Sequence, residues 1–302
     1  MSHGLLWVPF TLAAAFAQVL RNAAQSRLTG RIGTVGGTQV RFVYGLPFAA
    51  ILLAIYLAVT SQQLPAIPAE TLAWAVVGSV TQIVATALML VVMTKRDFGV
   101  AYAYIKTEPV TVALLGLVLI GDRLSWLGWV AVVIVTIGVV LASLRVGDKA
   151  AKLTEWKPLV VGVASGALFG LSAICFRASI DLVPQGGFML RSLTMLVVSL
   201  AIQSATLAIW FVTKDASGFF GSLREWRLSV VAGALGAIAS AGWFISFSLT
   251  LAANVRTLAL IEMPVVAVLS RYVSGRWLTA REWVGFVLIT VGVALLMLAH
   301  AA

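Results

Sequence analysis

Charge is what this sequence has least of. Its 11 acidic and 21 basic residues are 11% of a 302-residue chain, less than half the roughly 25% that soluble domains carry. That excludes a soluble globular protein, because nothing is left to make a polar skin. A single cysteine, Cys175, lies inside an apolar stretch, which excludes a disulfide framework and a cysteine metal site. The only two histidines, His3 and His300, sit near the ends, so no imidazole is available for a catalytic core. Phosphate loops, nucleotide motifs and nucleophile elbows are lacking too. The chain is expected to be no enzyme and to need no cofactor or metal.

What is present is apolar. Hydrophobic residues make up 61% of the chain and the mean hydropathy is +1.03. Crossing the hydrocarbon core takes about 20 consecutive apolar residues. Ten such spans are expected, at residues 5–25, 34–60, 71–94, 98–120, 125–144, 159–181, 186–212, 227–250, 253–273 and 281–300. The weakest break, between the eighth and ninth, rests on Ala252–Asn254. The first span has no basic leader and is expected to be a retained helix rather than a signal peptide. The net charge of +10 lies in short connections rather than on a basic face, which argues against nucleic acid as a partner.

The longest polar connection, Arg145–Pro158, falls near the middle and suggests two halves, 1–148 and 149–302, within one membrane domain. At an offset of 154, Glu108–Leu141 matches Glu262–Leu295 at 13 of 34 positions. Hydrophobicity alone does not explain why Glu108, Gly121, Trp129, Thr136 and Gly138 all find identical mates. Upstream, Gly36, Gly37 and Arg41 echo Gly186, Gly187 and Arg191. Odd-numbered loops hold 14 Lys and Arg against one, Arg123, in the even loops and termini, with Arg256 assigned to span nine. The positive-inside rule then places the odd loops in the cytoplasm and both termini outside. With five spans per half, the second half enters the bilayer upside down. The expected fold is all-α and integral to the membrane: ten transmembrane helices as two inverted five-helix repeats around a central cavity. Such repeats let access to a midplane site alternate between the two faces.

The motifs carry a family resemblance. The first half reads Glu108-Pro109, then Gly121-Asp122-Arg123-Leu124, then Gly138. The second reads Glu262-Met263-Pro264, then Gly275-Arg276-Trp277-Leu278, then Gly292, with Leu168-Phe169-Gly170 and Arg191 upstream. Taken together they resemble the EamA-type transporters of the drug/metabolite transporter superfamily. The resemblance implies ten helices about a central cavity and, mostly, export of amino acids, metabolites or toxic compounds. Asp122 and Arg276 stand where that family usually has glutamate.

Ionisable residues inside spans cost roughly 2.5–3.5 kcal/mol each at a helix centre and so face protein or water. Glu108 and Glu262, repeat mates beside prolines, are candidates for binding substrate or a proton, or for bracing a broken helix. Lys106, about 200° around an ideal helix from Glu108, could meet a substrate carboxylate, pair with an acid on another helix, or snorkel. Trp243, Tyr102 and Tyr104 could stack on a substrate or merely pack, and Gln82 could line the same cavity. Arg41, Arg191 and Arg177 are expected at span ends as gate or lipid contacts, and Arg21 and Arg256 with them. Gly162, Gly166 and Gly170 suggest close helix packing inside the protein rather than dimerisation.

The expected function is secondary transport across the inner (plasma) membrane, as an exporter of amino acids or related small metabolites. Efflux of cationic or aromatic drugs, with or without proton coupling, is the alternative, and an intramembrane enzyme or receptor a minor one. The expected partners are a small-molecule substrate and membrane lipid, with the chain a monomer or homodimer.

Overall fold

A computed structural model of the chain describes residues 4–95, 105–106, 108–143, 156–214, 216–263 and 279–301. Among the described residues there are eleven helices and no strand. In chain order they are α1 (Trp7–Val43), α2 (Gly45–Thr60), α3 (Ala69–Lys95), α4 (Glu108–Ile120), α5 (Trp126–Ser143) and α6 (Trp156–Asp181). Then follow α7 (Phe188–Thr213), α8 (Ser217–Arg224), α9 (Trp226–Leu249), α10 (Ala252–Ala259) and α11 (Ala280–Ala301). Among the described residues six helical stretches are long and apolar enough to cross a membrane: Arg27–Thr60, Ala69–Val92, Val160–Asp181, Phe188–Thr213, Trp226–Leu249 and Ala280–Ala299. Two shorter apolar helices are Glu108–Ile120 and Trp126–Ala142. The chain is a multi-pass, all-helical membrane protein, and large apolar side chains such as Val59, Val118 and Val212 face outward, as lipid contact requires.

Breaks fall where the backbone cannot stay helical. Within α1, Gly33 adopts φ 76°, ψ 174°, a conformation that only glycine takes without strain, and this falls between the first two expected spans, 5–25 and 34–60. No side chain crowds that position, so the glycine serves the backbone angle and not a tight contact. The eighth and ninth spans part at Thr250 and Leu251, both with extended ψ, two residues before the expected Ala252.

The chain divides into two compact units, residues 1–87 with 175–250, and residues 88–174 with 251–302. Each unit draws on both halves of the sequence. In the first, α1 and α9 run antiparallel and touch through small residues. A Cβ on Gly242 would stand 2.8 Å from Ala14 Cβ, and Ser246 Oγ contacts Trp7 O at 3.4 Å. The Phe176 and Phe244 rings lie 4.8 Å apart, tilted by 36°, in its core.

In the second unit, repeat-equivalent helices α5 and α11 pack on one another. A Cβ on Gly138 would fall 2.7 Å from Gly285 O, and one on Gly292 would fall 3.1 Å from Ala131 O. The 154-residue offset maps the first contact onto the second, since 138 corresponds to 292 and 285 to 131. The partner number falls as the residue number rises, so the two helices are antiparallel. Their hydroxyls repeat as well: Thr136 donates to Val132 O (2.7 Å) and its mate Thr290 to Phe286 O (2.9 Å), each hiding a polar group against its own helix. Gly166 lets Ile105 O approach to 2.5 Å of where its Cβ would be, and Gly170 admits Val112. Those glycines serve packing within the unit.

Candidate functional site

Two buried polar groupings stand out, one in each unit. The first to consider is in the second unit, where the chain twice leaves the helix immediately before a glutamate. Residue 106 is a turn and α4 starts at Glu108, while residues 260 and 261 form a turn before Glu262. The second turn closes on short-range bonds, Leu260 N to Thr257 O at 3.2 Å and Ile261 N to Leu258 O at 3.0 Å. Glu108 was expected at mid-span with a helix-loosening proline. Instead it opens a helix, and Pro109 occupies the first turn, where the missing N–H costs nothing. A carboxylate there also faces the positive end of the helix dipole.

Both glutamates carry a cation from the other half of the sequence. Lys106 Nζ donates to Glu262 Oε1 at 2.9 Å, with side chains 10% and 2% exposed. Arg256 Nε lies 3.1 Å from Glu108 Oε1, with side chains 10% and 7% exposed. This second contact is an ion pair by distance, without the alignment of a hydrogen bond. The result is a neutral quartet, two acids and two bases, that ties α10 and the turn after it to the start of α4. Pairing at this depth offsets the cost of bringing each charge out of water. The acids obey the 154-residue repeat; the bases do not, since Lys106 precedes its own-half glutamate by two residues and Arg256 by six.

The grouping in the first unit is built on arginine and amides. Arg21, Arg41, Gln82, Thr86 and Gln203 are all buried. Arg41 Nη1 makes a long contact with Thr86 Oγ1 (3.5 Å), Thr86 donates to Gln82 O (2.8 Å), and Gln203 Nε2 donates to Gln82 Oε1 (2.8 Å). Trp243 is also buried; its indole N–H donates to Gln18 Oε1 at 3.2 Å and its ring stacks on Phe247. Arg177 donates to Thr250 O, at the end of α9, and pairs with Asp181 one turn on. Arg191 is half-buried in the first turn of α7. Tyr102 and Tyr104 lie outside the described residues. Among the described residues no three His, Cys, Asp or Glu side chains gather to hold a metal.

The structure thus joins Glu108, Glu262 and Lys106, and separately places Gln82 and Arg41 in one bonded chain. Sequence reasoning left out Gln203 as a site candidate and placed Arg21 and Arg256 at span ends as gate or lipid contacts. A signal for Arg256 was present in its company, the polar run Asn254–Thr257 within an otherwise apolar span.

Comparison with known proteins points to the same family as the motifs. Residues 5–144 match the EamA-like transporter family. The match, a little under half of the chain, contains Arg41, Gln82, Lys106 and Glu108; Arg256 and Glu262 lie beyond it. No curated protein matches the chain. A solved structure described only as a crystal structure of a protein superposes with a TM-score of 0.67, at 17% identity, over 98% of this chain and 99% of that one. At that identity the likeness speaks for the fold alone.

Proposed function

We propose that the chain is a secondary transporter that exports amino acids or related small zwitterionic metabolites across the inner membrane by alternating access. The observation that carries this is the pair of turns, at Lys106 and at residues 260 and 261, with buried, ion-paired glutamates beyond them at 108 and 262. Irregular backbone at membrane depth is tolerated where it is enclosed in protein or lines a cavity, and transporters place substrate groups at such helix starts. The antiparallel packing of repeat mates α5 and α11 through Gly138 and Gly292 supports a full architecture of ten helices in two inverted repeats about a central cavity. In that architecture both termini lie outside.

A zwitterion suits the quartet. An amino group can exchange with Lys106 or Arg256 on a glutamate, and a carboxylate can take up the released cation, so charge stays balanced throughout. The pairing of both glutamates favours this over the efflux of cationic drugs, for which a free carboxylate would serve better. Trp243 and Gln82 act in this scheme as packing and lining residues of the first unit.

The test is export from proteoliposomes loaded with radiolabelled amino acids, run with and without a pH gradient, alongside a lipophilic cation. Counterflow of an amino acid by the wild type, lost in Glu108→Gln and Glu262→Gln, is the expected outcome. Transport of the cation with no movement of any amino acid would refute the substrate class.

A further inference from the structure

Helix α8 joins α7 to α9 in the first unit, and its two faces differ in kind. One is built against α1 just beyond the Gly33 break. A Cβ on Gly36 would stand 3.1 Å from Gly218 O, and one on Gly218 would stand 3.0 Å from Gly36 Cα. Two glycines thus bring the backbones into contact. Gln39 Nε2 donates to Gly218 O at 3.2 Å and to Ser222 Oγ at 2.6 Å, and Ile32 packs where Gly221 has no side chain. Gly218 and Ser222 are buried, so α8 is fixed to α1.

The opposite face is exposed. Phe220 is 61% exposed and Leu223 47%, with Trp226 at 55% where α9 begins. At about 100° per residue, Phe220 and Leu223 lie roughly across the helix from Gly218 and Ser222. Lys214, Arg224 and Arg227 are exposed around them, and the Arg227 guanidinium stands 5.6 Å from the centre of the Trp226 ring. Bases outnumber acids four to two: Lys214, Arg224, Arg227 and, from α1, Arg31, against Asp215 and Glu225. Arg31 takes up Glu225 at 2.8 Å. The apolar spans Phe188–Thr213 and Trp226–Leu249 flank α8 and hold it near the bilayer surface. Apolar side chains ringed by bases suit a helix lying in the headgroup region.

We propose that the outer face of α8 docks on anionic phospholipid, and that lipid held there steadies the α1 break. Phe220 and Leu223 enter the acyl boundary while Lys214, Arg224 and Arg227 meet lipid phosphates, each base adding to the attraction. Because the inner face grips Gly36 and Gln39, anchoring α8 in lipid limits how far α1 can swing at Gly33.

Two measurements in nanodiscs test this. A bimane on Phe220→Cys, in a Cys175→Ala background, reports the lipid beside α8. One on Val59→Cys, 79% exposed near the end of α2, reports bulk lipid. Acyl-brominated phosphatidylglycerol, at about one lipid in five, should quench the α8 probe at least about twofold more than brominated phosphatidylcholine at the same fraction. The α2 probe should not distinguish them. Lys214→Gln/Arg224→Gln/Arg227→Gln should erase the preference, and the comparison of the two probes stands even where that variant fails to fold. Hydrogen exchange across residues 30–38, which hold the Gly33 break, should be slower with phosphatidylglycerol than in phosphatidylcholine alone. Equal quenching of the α8 probe by both lipids would overturn the docking surface. Quenching by neither would also overturn it, giving the face to a protein partner or a second copy. Preferential quenching with unchanged exchange would overturn the link to α1. Neither measurement requires transport, so both can succeed while amino acid export fails, and both can fail while export proceeds.

Discussion

Consider replacing Lys106 with methionine. The stem is nearly conserved in length, but the Glu262 carboxylate, 2% exposed and 2.9 Å from the lost ammonium, loses that partner in a site that water hardly reaches. Removing one partner of a buried pair costs about 3–5 kcal/mol, because the remaining charge has lost its compensation. Glu262→Gln should cost less, since Lys106 can carry its ammonium toward water on a flexible stem. The double variant Lys106→Met/Glu262→Gln should then be more stable than Lys106→Met alone, with a coupling energy of about 2 kcal/mol, within the usual range for residues in contact. The measurement is a double-mutant cycle on purified protein in one detergent, by reversible unfolding in mixed SDS micelles. Additive losses, with the double variant the least stable of the three, would refute the claim that these two side chains neutralise one another.

Further expectations concern packing, ends and topology. Gly285→Ala drives a Cβ to 2.6 Å from Gly138 O and Ala142 N. It should lower stability by about 1–3 kcal/mol, read as a lower temperature of aggregation, whereas Gly187→Ala, which meets nothing within 4 Å, should match the wild type. Gly33→Ala puts a side chain at φ 76°, ψ 174° in open space, so it should cost only the backbone strain of about 1–3 kcal/mol, visible in the same assay. Arg177→Gln removes the donor to Thr250 O and should raise hydrogen exchange at the end of α9 while leaving α5 and α11 unchanged. Reporter fusions should place the amino terminus outside and the connector at 145–158 in the cytoplasm.

The helical, membrane-spanning character was readable from residue order alone, because burial in lipid imposes an unbroken apolar run on every crossing segment and little else in protein chemistry does. The repeat was readable too. Gly138, Thr136 and their mates are retained for local reasons, close approach and a hydroxyl returned to its own helix, and these leave the same letter at the same offset. Glu108 and Glu262 stood out as ionisable groups in apolar surroundings. What they touch did not. Their partners are 156 and 148 residues away, the bases break the repeat register, and nothing local in the sequence says that Lys106 will reach Glu262 and not a lipid surface. The same holds for Arg21 and Arg41. Periodicity places each on a helix, but only the folding of α9 against both parts of α1 brings them to one glycine, Gly236. A chain records in its own order the forces that act between neighbours and between side chain and solvent. Pairings between distant charges depend on how helices are laid side by side, and that was decided by tertiary structure.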